Sequence, residues 1–185
     1  YSDLTPFLLN VIERLGWVAF HGPMVAADMA RGLSGEEESS LLSALAGDVQ
    51  RELGLTVVDR GDGEARGLLL GGCPSLLASV AGTPFATPLG DALLFLEDID
   101  EPLYRIDRML TQLDLSGSLA GIRAMILGAS IASPSDADAL AQIRDRAGDR
   151  TARSLDFDPG IAAVVRGVAG LVGGGGEAAF GGLQV

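Results

Sequence analysis

"LLFLEDIDEPLYRIDRML", residues 93–110, is the stretch whose reading decides the fold. Apolar residues that end abruptly at Glu97 read as a short buried strand, and Leu103, Ile106, Leu110 and Leu113 then recur at helical spacing. A buried strand feeding directly into an amphipathic helix is the unit from which α/β layers are built. Four acids, Glu97, Asp98, Asp100 and Glu101, bunch at the junction. Asp98, Asp100 and Glu101 suit caps and first-turn acids that complement the dipole of the helix, each contributing about 0.3–1 kcal/mol. Glu97 differs, because it is still within the strand, where a half-buried carboxylate needs a partner. Arg105 and Arg108 offer a structural ion pair. A histidine from elsewhere would instead make Glu97 the orienting acid of a triad.

Working outward, the same alternation recurs. Pro74 opens a short helix through about Val80, "IRAMILG" at 122–128 is another strand, and Ser133 with Pro134 starts a helix to about Ala147. Upstream, Leu4, Leu8, Val11, Ile12 and Leu15 predict a helix over 3–15 stopped by Gly16, and "WVAF" at 17–20 predicts a compact buried strand. Ser34 followed by Glu37 forms a capping box ahead of Leu41, Leu42, Leu45, Val49 and Leu53, which share a helical face. "LTVVD" and "RGLLL" around the turn-rich "RGDGEA" predict a hairpin over 55–70. The change of rhythm places a domain junction between 30 and 55. The Gly-rich tail, with its run at 173–176, is poor strand or helix material.

At 185 residues with 48% hydrophobic and 21% charged residues, the chain is globular and can bury a sizeable core. The net charge of −12 disfavours nucleic acid and anionic lipid as partners. No apolar stretch approaches the roughly 20 residues of a spanning helix, so no membrane partner is expected. A single cysteine, Cys73, fits a reducing compartment such as the cytoplasm. The chain starts at Tyr1 within an organised segment, which predicts a fragment of a longer protein.

Other candidates for chemistry are each weighed against a structural role. His21 is the single histidine, so any nucleophile–histidine mechanism wholly inside this chain must use it. Placed between a predicted strand and "GP", it reads more simply as a hydrogen-bonded turn residue. Cys73 in "GGCPSLL" has a helix start beside it but no neighbouring base, which favours a small buried residue over a nucleophile. Ser130 in "GASIA" half resembles the G-x-S-x-G nucleophile turn and lacks its last glycine. The run at 173–176 has no following Lys-Ser or Lys-Thr to make it a phosphate loop, and one histidine with one cysteine supports no zinc cluster.

Several stretches resemble, in order, the serine LD-carboxypeptidases, a family that includes muramoyltetrapeptide carboxypeptidases and the microcin-C self-immunity peptidases. They are "YSDLTPFLL" at the start, "FHGPMVA" at 20–26, "GLLLGGCPSLLASVAGTPF" at 67–85 and "LLFLEDIDEPLYRIDRMLTQL" at 93–113. The resemblance implies an α/β fold: the end of an N-terminal layered, Rossmann-like domain (1–31, the nucleophile domain), a connecting helix and hairpin (32–65), and a C-terminal α/β domain of the LD-carboxypeptidase type (66–185), with an atypical Gly-rich tail at 160–185. It implies a cytoplasmic homodimer that hydrolyses the L,D peptide bond to a terminal D-amino acid of a murein-derived or other small peptide, without metal or other cofactor. The family's glutamate falls on Glu97, where it orients the histidine that carries the serine's proton. The nucleophilic serine belongs upstream of Tyr1, and the histidine aligns with Gly175, so the chain lacks both. An intact parent enzyme and a non-catalytic peptide-binding or dimerisation relic of the family are the two readings this leaves.

Overall fold

The computed structural model describes residues 2–46, 56–59, 67–98, 101–127 and 164–166. Strands β1 (Thr56–Asp59), β2 (Leu69–Gly72), β3 (Leu93–Leu96), β4 (Ala124–Leu127) and β5 (Val164–Arg166) form one sheet in the order β1-β5-β4-β3-β2. Strands β2 to β5 are parallel to their neighbours, and β1 closes the far edge antiparallel to β5. Parallel neighbours cannot be joined by a tight turn, so each connection must cross a face of the sheet. Helix α3 (Pro74–Val80) makes the crossing from β2 to β3, and α4 (Leu103–Leu115) makes it from β3 to β4. The α/β layering expected from the alternation is present, with the "LLFL" strand paired on both sides, between β4 and β2.

Side chains alternate across β3, and each face has its own covering. Leu94 and Leu96 are almost fully buried in a core with Leu70 of β2, Leu77 and Ala78 of α3, and Ile106, Leu110 and Leu113 of α4. Each such leucine contributes about 1.5–3 kcal/mol relative to exposure, so this cluster supplies much of the driving force. Phe95 is buried as well but lies outside that cluster.

Helix α1 (Thr5–Leu15) packs against α3 and β2 and delivers Leu9 to the same core. Asn10 Nδ2 donates to the Phe85 carbonyl at 2.9 Å, and Arg14 donates to the Pro84 carbonyl, which ties α1 to the loop beyond α3. Gly16, in the left-handed region at φ 64°, ends α1 by donating its N–H to the Ile12 carbonyl. The chain then runs irregularly into a single π turn, Val25–Met29.

Three expectations change here. "WVAF" is not a strand: Trp17, Val18 and Phe20 are exposed, and a four-residue apolar run carries no information about a pairing partner. The 55–70 hairpin is absent, since β1 pairs with β5 and β2 pairs with β3 at opposite ends of the sheet. Two β-prone runs flanking a turn do not specify each other when another strand offers a better-buried edge. Helix α2 (Gly35–Leu45) begins at the expected capping box, with Ser34 Oγ accepting from the Glu37 N–H at 3.2 Å and Glu37 accepting from the Ser34 N–H at 2.6 Å. These bonds, the backbone one foremost, hold the Glu37 carboxyl below the usual carboxylate range. Its buried face is Glu37, Ser40 and Ala44, whereas Leu42 and Leu45 point to solvent. The ion pairs from Arg31 to Asp28 (3.3 Å) and to Glu37 (3.4 Å) turn the polar face inward. The helix expected from Ser133, most of the Gly-rich tail, Ser130 and Gly175 lie outside the described residues.

The two glycines that end β2 are required. Gly71 and Gly72 sit at φ 147° and 139°; a Cβ on Gly71 would collide with the Phe95 carbonyl, and one on Gly72 would stand 2.7 Å from Thr5 Oγ1. Gly71→Ala is expected to lower the unfolding free energy by at least about 3 kcal/mol, and Ser34→Ala by about 1 kcal/mol, both read as shifts in urea midpoint.

Candidate active site at the carboxyl ends of β2 and β3

In open α/β sheets the working side chains collect beyond the carboxyl ends of the strands, and three loops converge there in this protein. The N–H of Glu97 donates to the Gly72 carbonyl at 3.1 Å, extending the β2–β3 ladder one residue past the strand. This fixes the backbone of Glu97, and period 2 puts its side chain on the same face as Phe95, opposite Leu94 and Leu96. Glu97 is 8% exposed. A carboxylate so enclosed has to be compensated by specific neighbours.

The neighbour the fold provides is His21. Its Nε2 lies 3.9 Å from Glu97 Oε1, and its ring stands edge-on to Phe95 with centroids 6.0 Å apart. A single imidazole therefore covers both Phe95 and Glu97. The two arginines weighed as partners are engaged elsewhere: Arg105 pairs with Glu101 at 3.1 Å, and Arg108 lies 5.0 Å over the Tyr104 ring. The sequence reading of His21 as a hydrogen-bonded turn residue misses this meeting because Glu97 is remote in sequence. The signal available was its position as the single histidine, just after an apolar run.

Neither Asp98 nor Glu101 is the N-cap of α4. Its N-cap is Pro102, with no side-chain cap and no acid in the first turn. Asp98 turns instead to Cys73, whose Sγ donates to Asp98 Oδ2 at 3.5 Å and sits 3.0 Å from Ser75 Oγ. Glu101 precedes the helix and holds Arg105 one turn on. Asp100 lies outside the described residues. With proline at the N-cap, Asp98 and Glu101 lie upstream of the helix, one beside a thiol and the other beside a guanidinium.

Cys73 is buried where β2 becomes α3, and its N–H donates to Thr5 Oγ1 at 3.3 Å. Burial pushes its thiol above the ordinary value, so the thiolate needed for nucleophilic attack is disfavoured. Among the described residues no three His, Cys, Asp or Glu side chains converge as metal ligands would, and no helix is long and apolar enough to cross a membrane.

His21 is held neutral near pH 7, because burial lowers its pKa from 6.5 to about 4. Between those values the unfolded chain binds a proton that the folded chain refuses, so stability is complete above about 6.5 and is lost as pH falls towards 4. The loss is expected to reach at most about 3 kcal/mol. Urea midpoints recorded from pH 7 to pH 4 should fall more steeply for the wild-type chain than for His21→Phe.

Comparison with known proteins bears on this geometry. Residues 66–155 match the family model of the LD-carboxypeptidase C-terminal domain. A probable murein peptide carboxypeptidase of Bacillus subtilis is 37% identical over 134 residues, covering 69% of this chain and 41% of that protein. The chain thus spans about two fifths of the length of such relatives. The crystal structure of a muramoyltetrapeptide carboxypeptidase from Oxalobacter formigenes superposes with a TM-score of 0.61 at 28% identity, over 90% of this chain and 60% of that one. An MccF-like protein of Bacillus anthracis shares the fold at TM-score 0.70 and 18% identity, over 91% of this chain and 56% of that one. With the parallel sheet, the "LFLED" strand end and the matched model in agreement, the chain belongs to the LD-carboxypeptidase family, of which it carries the C-terminal portion.

Proposed function

We propose that this chain is part of a serine-type LD-carboxypeptidase that releases the terminal D-amino acid from a murein-derived tetrapeptide or a related small peptide. In this reading Glu97 is the orienting acid. The single observation that carries it is a buried carboxylate at the carboxyl end of β3, with its backbone fixed by the Gly72 carbonyl. A carboxylate fixed in that way can hold an imidazole in one tautomer and stabilise the imidazolium that forms when the serine hydroxyl gives up its proton. The serine then attacks the carbonyl of the L,D bond, and the imidazole returns the proton to the leaving amine.

The serine and the proton-carrying imidazole come from outside the residues named so far. The family pattern puts the serine before Tyr1 and the imidazole at Gly175, and glycine cannot carry a proton. In this reading an active enzyme needs a longer protein for the serine and an imidazole from outside this chain in place of Gly175, and the 185-residue chain by itself turns over little. The residue division 1–31, 32–65 and 66–185 follows the same proposal, as do a cytoplasmic location and a homodimer. Gly175 specifically favours a second reading, a peptide-binding or dimerisation relic without catalysis.

Steady-state hydrolysis of a murein tetrapeptide separates the two. For the longer protein, Glu97→Gln is expected to lower kcat by about 10³- to 10⁴-fold with a smaller change in KM. Undiminished turnover in Glu97→Gln overturns the orienting role. Tight peptide binding with no turnover by any form supports the relic.

A further inference from the structure

An orienting carboxylate has two oxygens, and a triad uses one of them. The other must also be held, because the terminal torsion of a glutamate is broad and a carboxylate free to rotate loses its aim. In this protein Glu97 Oε1 faces His21 Nε2 at 3.9 Å, longer than a hydrogen bond and within reach of one after a small adjustment. Active-site contacts of this kind tighten when substrate arrives. The imidazole is in turn placed by Phe95, two residues before Glu97 on the same face of β3. One strand thus carries both the group to be held and the ring that aims the holder.

Two roles are open to such a histidine, proton carrier or positioner, and the surroundings decide between them. A proton carrier works best with a pKa near the operating pH, whereas burial holds this one at about 4. Its side chain is 18% exposed, packed between Phe95 and Glu97, which leaves little of the ring for a substrate to reach. A carboxylate only accepts, so the nitrogen turned towards Oε1 has to be the protonated one.

We infer that His21 is a positioning residue: it donates from Nε2 to Glu97 Oε1 and so aims the remaining oxygen at the imidazole that serves the nucleophile. The inference rests on the orienting role proposed for Glu97. It also gives the segment 16–24, which is irregular and carries exposed apolar residues, a reason to pass over the end of β3.

Because His21 is the single histidine, its imidazole nitrogens give one set of NMR signals in the chain as it stands. Near pH 7 they are expected to show the Nε2-protonated tautomer, and Glu97→Gln is expected to shift them. The Nδ1-protonated tautomer, or signals that Glu97→Gln leaves in place, overturns the inference; the tautomer is read on the unmutated chain and needs no variant to fold. In the longer protein, His21→Phe is expected to lower kcat by about 10²-fold with KM little changed, and His21→Gln, whose amide N–H reaches the position of Nε2, to recover about tenfold of that loss. If Glu97→Gln abolishes turnover and His21→Phe leaves kcat alone, the positioning role fails and the orienting role stands. If Glu97→Gln leaves turnover intact, the orienting role itself has failed.

Discussion

The close approach at the end of β2 is the constraint on which the rest depends. Gly71 and Gly72 take a backbone conformation closed to other residues, and the missing Cβ atoms make room for the Phe95 carbonyl on one side and Thr5 on the other. The Gly72 carbonyl then accepts from the Glu97 N–H, and the Cys73 N–H reaches the Thr5 hydroxyl. Three separate stretches, α1, the β2–α3 turn and the end of β3, are thus fastened at one point. The position of Glu97 is a consequence of that fastening.

The two faces of β3 then divide the work. Leu94 and Leu96 bury against α3 and α4 and supply the apolar burial that holds the sheet to its helices. Phe95 and Glu97 face the other way, where the segment after α1 lays His21 across them. A strand buried on both faces is ordinary in a parallel sheet, but burying a carboxylate at its end is costly unless something compensates it. That the cost is carried at the strand end, where α/β proteins keep their chemistry, is the physical argument for function at Glu97. The capping box and the Arg31 ion pairs do the same structural work for α2, which turns its polar face inward and its leucines outward.

Much of the fold was legible in local sequence. The stripe of Ile106, Leu110 and Leu113, Pro74 at the start of α3, the Ser34–Glu37 box and the "LLFL" run each act through neighbours within a turn or two, so their residue types alone specify them. The misread elements share a cause. "WVAF" and the apparent hairpin around "RGDGEA" depend on which distant strand offers an edge, and Asp98 exchanged a helix cap for a thiol brought close by the β2–β3 register. Glu97 stood out because it ends the strand. His21 did not, because nothing near it in sequence reveals the carboxylate it meets.

The amino-acid sequence by itself determined helices α1, α3 and α4, the start of α2, the "LLFL" strand, the acidic junction and the family, since periodicity, caps and an ordered set of motifs are properties of the chain read in order. The tertiary structure alone decided strand order, the inward polar face of α2 and the meeting of His21 with Glu97. Pairing and burial bring together groups far apart in the chain, and their energy depends on the path between them, which no local pattern encodes.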